Sequence, residues 1–187
     1  QGKDEVSVLL PKGINWFDPI HQIIYGGGEK LSFDYYPHDI QYFFRCGTVI
    51  PTFHKIEAIG KSFLNSYEFI VIPPAEKSDI GLLPIACIHS EDGGESDFIP
   101  GSHWRWMMEY TVEGENDYCL HIVQTEGVAD KYDSSVFGKE WRFCVPDGFM
   151  LYDENEMKMG TSLVFDLDKA PEHLSLRVKG AYRNKHR

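Results

Sequence analysis

The chain has 187 residues, enough for one large hydrophobic core or two small ones. Its formal net charge of −11 argues against nucleic acid and anionic membrane surfaces as partners, because both need clustered Lys and Arg. No apolar run approaches the roughly 18 residues of a membrane-spanning helix, and 12 Phe, 10 Tyr and 4 Trp favour a folded, strand-rich protein over a disordered one.

Short β-rich runs, separated by Gly and Pro, follow one another along the chain. The first four are residues 6–10, 20–25, 30–33 and 40–44. The others are residues 67–72, 85–89, 105–112, 118–125, 140–145, 161–167 and 175–178. This spacing predicts an all-β fold of antiparallel β-sandwiches and not alternating strand–helix units. One short helical turn is predicted at residues 130–137.

A polar stretch between residues 53 and 66 interrupts the strand pattern. We therefore predict two domains, a small proximal sandwich over residues 1–55 and a larger distal sandwich over residues 56–187. A first domain of about 50 residues is too small to be comfortably stable by itself. We expect it to be completed by a strand from a larger polypeptide that covers its exposed edge.

The cysteines and histidines do not have metal-binding spacing. Neither a CxxC pair nor an HxH or HExxH pattern occurs. These patterns predict no metal site among the histidines, no cofactor and mostly buried free thiols, with one disulfide left open as an alternative. The four cysteines are Cys46, Cys87, Cys119 and Cys144.

The densest polar cluster lies on a glycine-rich segment and contains Glu91, Asp92, Glu95 and Asp97. Four carboxylates on a loop can hold Ca²⁺ through oxygen ligands, although their spacing differs from that of an EF-hand loop. The alternative is a tight hairpin turn, since Asp-Gly favours primed turns. The second interpretation is the more economical one.

Trp104 and Trp106 are the one closely spaced tryptophan pair, and alternation places them on the same face of a strand. Exposed tryptophan rings can stack on sugars, so the pair is a candidate carbohydrate-binding platform. Packing between two sheets explains the pair equally well and is the commoner arrangement.

No residue of the chain is predicted to be catalytic. Catalysis by a pair of carboxyl groups needs two of them close together, and no pair among the acidic residues stands out. The acidic run at residues 153–157 follows a turn and is interpreted as a solvated loop. A serine nucleophile on a GxSxG elbow is also absent from the sequence.

Four motifs in fixed order resemble one enzyme family. They are Leu10-Pro11-Lys12-Gly13, Trp16-Phe17-Asp18, Tyr25-Gly26-Gly27-Gly28 and Phe44-Arg45-Cys46-Gly47-Thr48-Val49-Ile50-Pro51. Their order resembles the segment after the catalytic barrel in glycoside hydrolase family 31, the α-glucosidases, which has the pattern LPxGxWYD, YxGG, PVFxRGGxIIP. Cys46 stands at a usual Gly of that pattern, and Gln41-Tyr42 at the usual Pro-Val. The run from Glu91 to Ser96 is similar to the family's DDGES turn.

The resemblance implies the two non-catalytic C-terminal β-sandwiches of such an enzyme. The parent would remove terminal α-linked glucose with retention, through two aspartates on a barrel outside this chain, and this chain alone would be inactive. The implied partner is the larger N-terminal barrel portion, in the same or a separate chain, and the glycan substrate is reached through it.

Within the family, the closest resemblance is to members that trim N-glycans in the endoplasmic reticulum. This implies the secretory pathway as the location, with a regulatory second subunit as a further partner. The alternatives from other functional classes are a stand-alone carbohydrate-binding sandwich and a structural or interaction domain of a larger assembly.

Overall fold

The computed structural model describes residues 5–34, 40–53, 66–80, 86–91, 103–126, 140–153, 155, 157–166 and 171–183, with backbone alone at 53, 66, 86–91, 103, 104, 158 and 159. Their regular structure is fifteen β-strands and one 3-10 turn, Lys77–Asp79. The predicted all-β class is confirmed. The predicted helical turn at 130–137 lies outside the described residues. Among the residues with described structure, no helix is long and apolar enough to cross a membrane.

The larger of two big sheets has six antiparallel strands. In spatial order they are β13 (Lys158–Gly160), β12 (Phe149–Tyr152), β15 (His173–Gly180), β10 (Asp117–Glu126), β9 (His103–Gly114) and β8 (Ala86–Glu91). The long hairpin of β9 and β10 turns at Asn116, whose φ of 55° is left-handed. After glycine, asparagine is one of the residues that best tolerate this conformation.

The second big sheet has four strands and includes one parallel pair. In spatial order they are β14 (Ser162–Asp166), β11 (Glu140–Cys144), β7 (Ser66–Ile72) and β6 (Thr48–Phe53). The β7–β11 pair is parallel, which the prediction of purely antiparallel sandwiches did not include. Pro51 is accommodated because β6 is an edge strand of the sheet.

The predicted boundary between residues 55 and 56 lies between two strands that pair with each other. Strand β6 pairs with β7 from Thr48 opposite Ile72 to Phe53 opposite Tyr67. The four-stranded sheet therefore contains residues from both sides of the predicted boundary. The division into two domains stays a prediction.

The main core fills the space between the two big sheets. Alternate residues of β7 and β11 meet alternate residues of β9, β10 and β15, as expected for strands with one face buried. Trp106 and Trp141 cross at its centre, with ring centroids 5.0 Å apart. The buried members are Val49, Tyr67, Phe69, Val71, Trp106, Met108, Tyr110, Tyr118, Leu120, Ile122, Trp141, Phe143, Phe149, Leu151, Leu163, Leu176 and Val178.

Two small sheets precede the sandwich in the chain. One orders β3 (Ile23–Tyr25), β2 (Trp16–Asp18) and β5 (Phe44–Arg45), and the other pairs β1 (Glu5–Leu9) with β4 (Lys30–Asp34). Phe17 of β2 packs with Cys46 and Ile72 against the outer face of the four-stranded sheet. Trp16, its neighbour on the opposite face, packs with Leu10, Tyr25 and Leu31. The three-stranded sheet thus has an apolar cluster on each side.

Several boundaries differ from those predicted. Residues 40–43 are not in a strand, and 20–22 form part of the turn before β3. Strands β2, β6, β12 and β13 were not predicted, the last two because they surround an acidic segment with few β-branched residues.

Candidate functional site

Trp106 belongs to the core and not to an exposed platform. Its side chain is 1% exposed, its indole crosses that of Trp141, and its Nε1 donates to the carbonyl oxygen of Pro171 at 2.9 Å. Such burial is incompatible with stacking on a sugar and agrees with the core-packing alternative. The side chain of Trp104 lies outside the described residues, so its role in carbohydrate binding stays a prediction.

The acidic loop cannot be assigned to either of its interpretations. Asp92, Glu95 and Asp97 lie outside the described residues, and Glu91 is described only by its backbone at the end of β8. In the part of the chain with described side chains, no three His, Cys, Asp or Glu groups are arranged to hold a metal ion.

The acidic run near residue 153 has a loop-forming carboxylate. Asp153 Oδ1 accepts from the backbone N–H groups of Asn155 at 3.0 Å and Met157 at 2.9 Å. This is how an aspartate side chain stabilises a turn. Glu154 and Glu156 lie outside the described residues.

Asp79 is one of two fully buried carboxylates among the described residues, and it joins the small sheets to the sandwich. It accepts from the backbone N–H of Asn15 at 2.7 Å, and from those of Ala75 and Glu76 at 2.9 and 3.0 Å. The side-chain amide of Asn15 also donates to it, at 3.1 Å. These donors occupy the lone pairs of the Asp79 carboxylate. Its role is therefore to connect the segment before β2 to the sandwich by hydrogen bonds, and not to act as an acid or base.

Asp18 is the other fully buried carboxylate and is occupied in the same way. It accepts from the backbone N–H groups of Ile20 at 2.9 Å and His21 at 3.1 Å, and it contacts His21 Nδ1 at 2.7 Å. The side chain of His21 is about half exposed. Asp18 therefore shapes the turn that leads from β2 into β3.

Buried Cys46 and half-buried Tyr182 lie near Asp79. Burial, with a further contribution from Asp79, raises the pKa of the Cys46 thiol far above its ordinary value. Burial also raises the pKa of Tyr182, whose hydroxyl donates to the Pro73 carbonyl at 2.5 Å. The Tyr182 ring lies 5.4 Å from Phe17 and 4.6 Å from Phe149. A buried thiol with a raised pKa is not a nucleophile, so this group serves packing.

The outer face of the six-stranded sheet has a polar group that we call the histidine cluster: Thr111, Cys119, His121, His173 and Ser175. His121 Nδ1 lies 3.1 Å from Ser175 Oγ, and His121 Nε2 lies 3.0 Å from Thr111 Oγ1. His173 Nε2 lies 3.4 Å from the same serine oxygen, and Cys119 Sγ lies 4.0 Å from His121 Nδ1. Three strands bring these side chains together.

The sequence analysis missed the histidine cluster because it is spread over residues 111–175. Its one local signal is Cys119 and His121, two residues apart on a predicted strand and so on one face. Burial, and then the Glu113 carboxylate, raises the pKa of the Cys119 thiol, while its hydrogen bond to Ser175 and the charge of Arg177 lower it.

Asp117 and Arg177 form a bidentate ion pair on the same sheet. Arg177 Nε donates to Oδ1 at 2.8 Å and Nη2 to Oδ2 at 2.7 Å, and Lys179 Nζ lies 3.8 Å from Oδ2. The hydrogen bond from Arg177 is the main reason that the pKa of Asp117 is lowered. The pair links β15 to the end of the β9–β10 hairpin.

The lowered pKa of Asp117 predicts a pH-dependent contribution to stability. Its stabilisation is complete above about pH 5, the upper end of the unfolded titration, and disappears as the pH falls through the lower folded-state pKa. In urea titrations, we expect Asp117→Asn to be less stable than the parent at pH 7, with the difference shrinking towards zero as the pH falls through the folded-state pKa of Asp117. Glu126→Gln, which removes the half-exposed partner of Arg105, is the matched control and should change little. A difference that is independent of pH would contradict the assignment.

Comparison with known proteins shows which solved structures have the same fold. No family model and no curated protein matches the sequence. A dextranase of glycoside hydrolase family 31 from Flavobacterium johnsoniae matches 96% of this chain over 25% of its own length, with TM-score 0.64 and 13% identity. A family 31 α-xylosidase from Xanthomonas citri matches 93% of this chain over 17% of its own length, with TM-score 0.59 and 15% identity.

A third structural match comes from the endoplasmic-reticulum glucosidase II complex of a catalytic subunit with the binding domain of its regulatory subunit. It covers 96% of this chain and 20% of the matched chain, with TM-score 0.55 and 14% identity. The chain thus spans a quarter or less of these enzymes. At such low identity the likeness establishes the fold, which is that of a part of family 31 glycosidases.

Proposed function

We propose that the chain is the non-catalytic C-terminal portion of a family 31 retaining α-glucosidase, with proximal and distal sandwiches over residues 1–55 and 56–187. The observation that supports this most is the agreement of two independent features. Nearly the whole chain superposes on a small part of family 31 glycosidases. The motif-bearing segment, residues 10–51, contributes β2, β3, β4 and β5 of the small sheets and most of β6, the first strand of the sandwich.

The proposed role is to stabilise the catalytic barrel, carried by the same or a separate chain. The exposed apolar side chains support this role, since most of those described lie before residue 43. Leu9 is 68% exposed and Ile40 is 79% exposed, and Val6, Ile20 and Tyr42 are also exposed. Where such side chains form a contiguous patch, they mark an interaction site. Within the described residues, β1 and β4 pair only with each other.

The finer proposal is that the parent removes terminal α-linked glucose during N-glycan trimming in the endoplasmic reticulum, with a regulatory second subunit. Its support is the sequence resemblance and the structural match to the glucosidase II complex. The alternative of a stand-alone carbohydrate-binding module is weakened because Trp106 is buried in the core.

We expect the isolated 187-residue chain to show no turnover of a chromogenic α-glucoside, because the sequence has neither the family's nucleophile motif nor a carboxylate pair that stands out. Turnover that remains constant through successive purification steps would contradict the proposal. Hydrolysis that further purification removes comes from a contaminant.

Association with a barrel-sized polypeptide tests the proposed partner. Affinity purification of the tagged chain from its source, followed by mass spectrometry, should recover a family 31 barrel sequence or show that it is continuous with this chain. Leu9→Glu together with Ile40→Glu should disrupt that contact. Val164→Glu, at a 40% exposed position of edge strand β14, should not. Recovery of no barrel sequence from any fraction would overturn the proposal.

A further inference from the structure

We propose that residues 180–183 are a strap that opens and closes on the folded protein, with Gly180 as its hinge and Tyr182 as its anchor. When closed, the strap couples the three-stranded sheet to the main core between the two big sheets. When open, it uncovers the Cys46 thiol while both big sheets stay folded. This inference does not depend on the proposed function.

The anchor, Tyr182, packs against two apolar clusters at once. Its ring centroid lies 4.6 Å from that of Phe149, which belongs to the main core. On the other side it lies 5.4 Å from that of Phe17, which packs with Cys46 and Ile72 under the three-stranded sheet. No other described side chain packs against both of these clusters. The Tyr182 ring is therefore an apolar link between the three-stranded sheet and the sandwich.

Polar contacts hold the strap in the same place. The Tyr182 hydroxyl donates to the carbonyl oxygen of Pro73, which directly follows β7, at 2.5 Å. Arg183 forms an isolated parallel bridge with Ile23 of β3, and its Nη2 lies 3.4 Å from Oδ2 of Asp147. The strap thus touches the three-stranded sheet and the sandwich through its backbone and through its side chains.

The hinge is a glycine where two backbone segments meet closely. Gly180, the last residue of β15, has a φ of +142°, and a Cβ at this position would overlap the carbonyl oxygen of Gly148. Glycine is the residue that adopts such a conformation at no steric cost, and its φ and ψ have the widest freedom to change. The chain can therefore pivot at Gly180 while the rest of β15 keeps its place in the sheet.

Few contacts keep the strap closed. Residues 181 and 182 lie outside the strands, Ala181 and Arg183 are exposed, and Tyr182 is half-buried. The side chains of Arg183 and Asp147 are 69% and 59% exposed, and an ion pair between exposed groups contributes little. A segment held by so few buried contacts opens at a lower free energy than the strands of the core do. Opening of the strap therefore precedes unfolding of the sandwich.

The Cys46 thiol reports on the open state. It is fully buried, and its side chain is hydrogen-bonded to that of Tyr182. An alkylating reagent therefore reaches Cys46 only when the protein opens. Cys119 and Cys144 are half-buried, so they serve as internal references whose labelling does not need the strap to move.

The test is alkylation of the reduced 187-residue chain with N-ethylmaleimide, followed for each cysteine by mass spectrometry of its peptides. In the parent chain, Cys46 should react more slowly than Cys119 and Cys144, at a rate nearly independent of urea below the unfolding transition. Tyr182→Ala should raise the Cys46 rate by about tenfold or more, because the anchor is lost. Tyr182→Phe loses only the hydroxyl contacts and should raise the rate less.

Tyr152→Ala is the matched control, because it removes another half-buried tyrosine, from the outer face of β12. It should leave the Cys46 rate unchanged. Hydrogen exchange of the Leu120 and Phe143 amides, one in each big sheet, shows whether the sandwich stays folded in each variant. An unchanged Cys46 rate in Tyr182→Ala would overturn the proposal. So would a Cys46 rate that follows the exchange of those two amides with urea in the parent and in Tyr182→Phe, since the thiol would then be uncovered only by global unfolding.

Discussion

Replacing Asp79 by Ala should lower the free energy of unfolding by about 3–5 kcal/mol. The carboxylate is fully buried and accepts from the backbone N–H groups of Asn15, Ala75 and Glu76. Ala leaves those donors without their acceptor, and a buried unsatisfied donor costs about 1–3 kcal/mol. The loss should be greatest where β2 meets the sandwich, because Asn15 directly precedes that strand.

Chemical denaturation measures this change, and hydrogen exchange of residues 16–18 locates it. Asp79→Asn keeps one acceptor oxygen and should lie between the parent and Asp79→Ala. Asp147→Ala is the control, because that side chain is exposed and paired only with exposed Arg183 at 3.4 Å. Equal effects of the Asp79 and Asp147 substitutions would mean that the buried carboxylate does not join the small sheets to the sandwich.

The motif glycines show what local sequence can predict. A Cβ on Gly27 would lie 2.4 Å from the carbonyl oxygen of Ile14 and 2.6 Å from that of Pro11. Gly47 has a φ of +71°, and a Cβ there would lie 2.5 Å from the Asp79 carbonyl oxygen. Both glycines are required by close backbone approach. The all-β class followed from the spacing of the predicted turns.

Long-range pairing is what the sequence could not predict. Strands β7 and β11 are parallel neighbours although β8, β9 and β10 separate them in the chain. Asp79 was not singled out, because nothing local shows that it meets Asn15, 64 residues earlier. The histidine cluster escaped for the same reason, since His121 and Ser175 are 54 residues apart. In each case the strand register, and not local propensity, decides which side chains meet.

Trp106 is the position where the two sequence interpretations made opposite predictions for a mutation. On an exposed platform, replacing the ring would leave stability nearly unchanged. In the observed core, its indole fills the space between the sheets against Trp141, and Nε1 is hydrogen-bonded to Pro171. Trp106→Ala should therefore destabilise the protein by about 3–5 kcal/mol, through lost burial and the cavity that remains.

The variant Trp106→Phe separates the two contributions to this loss. Phe keeps an aromatic ring against Trp141 but gives up the bond to Pro171 and part of the volume, so it should cost clearly less than Ala. Met107→Ala is the control on the same strand, because alternation turns that side chain outward and leaves it 36% exposed. In denaturant titrations, the loss of stability should be largest for Trp106→Ala, smaller for Trp106→Phe and smallest for Met107→Ala. If Trp106→Ala were no more destabilising than Met107→Ala, Trp106 would not lie between the two sheets, and its role as a sugar-stacking platform would have to be considered again.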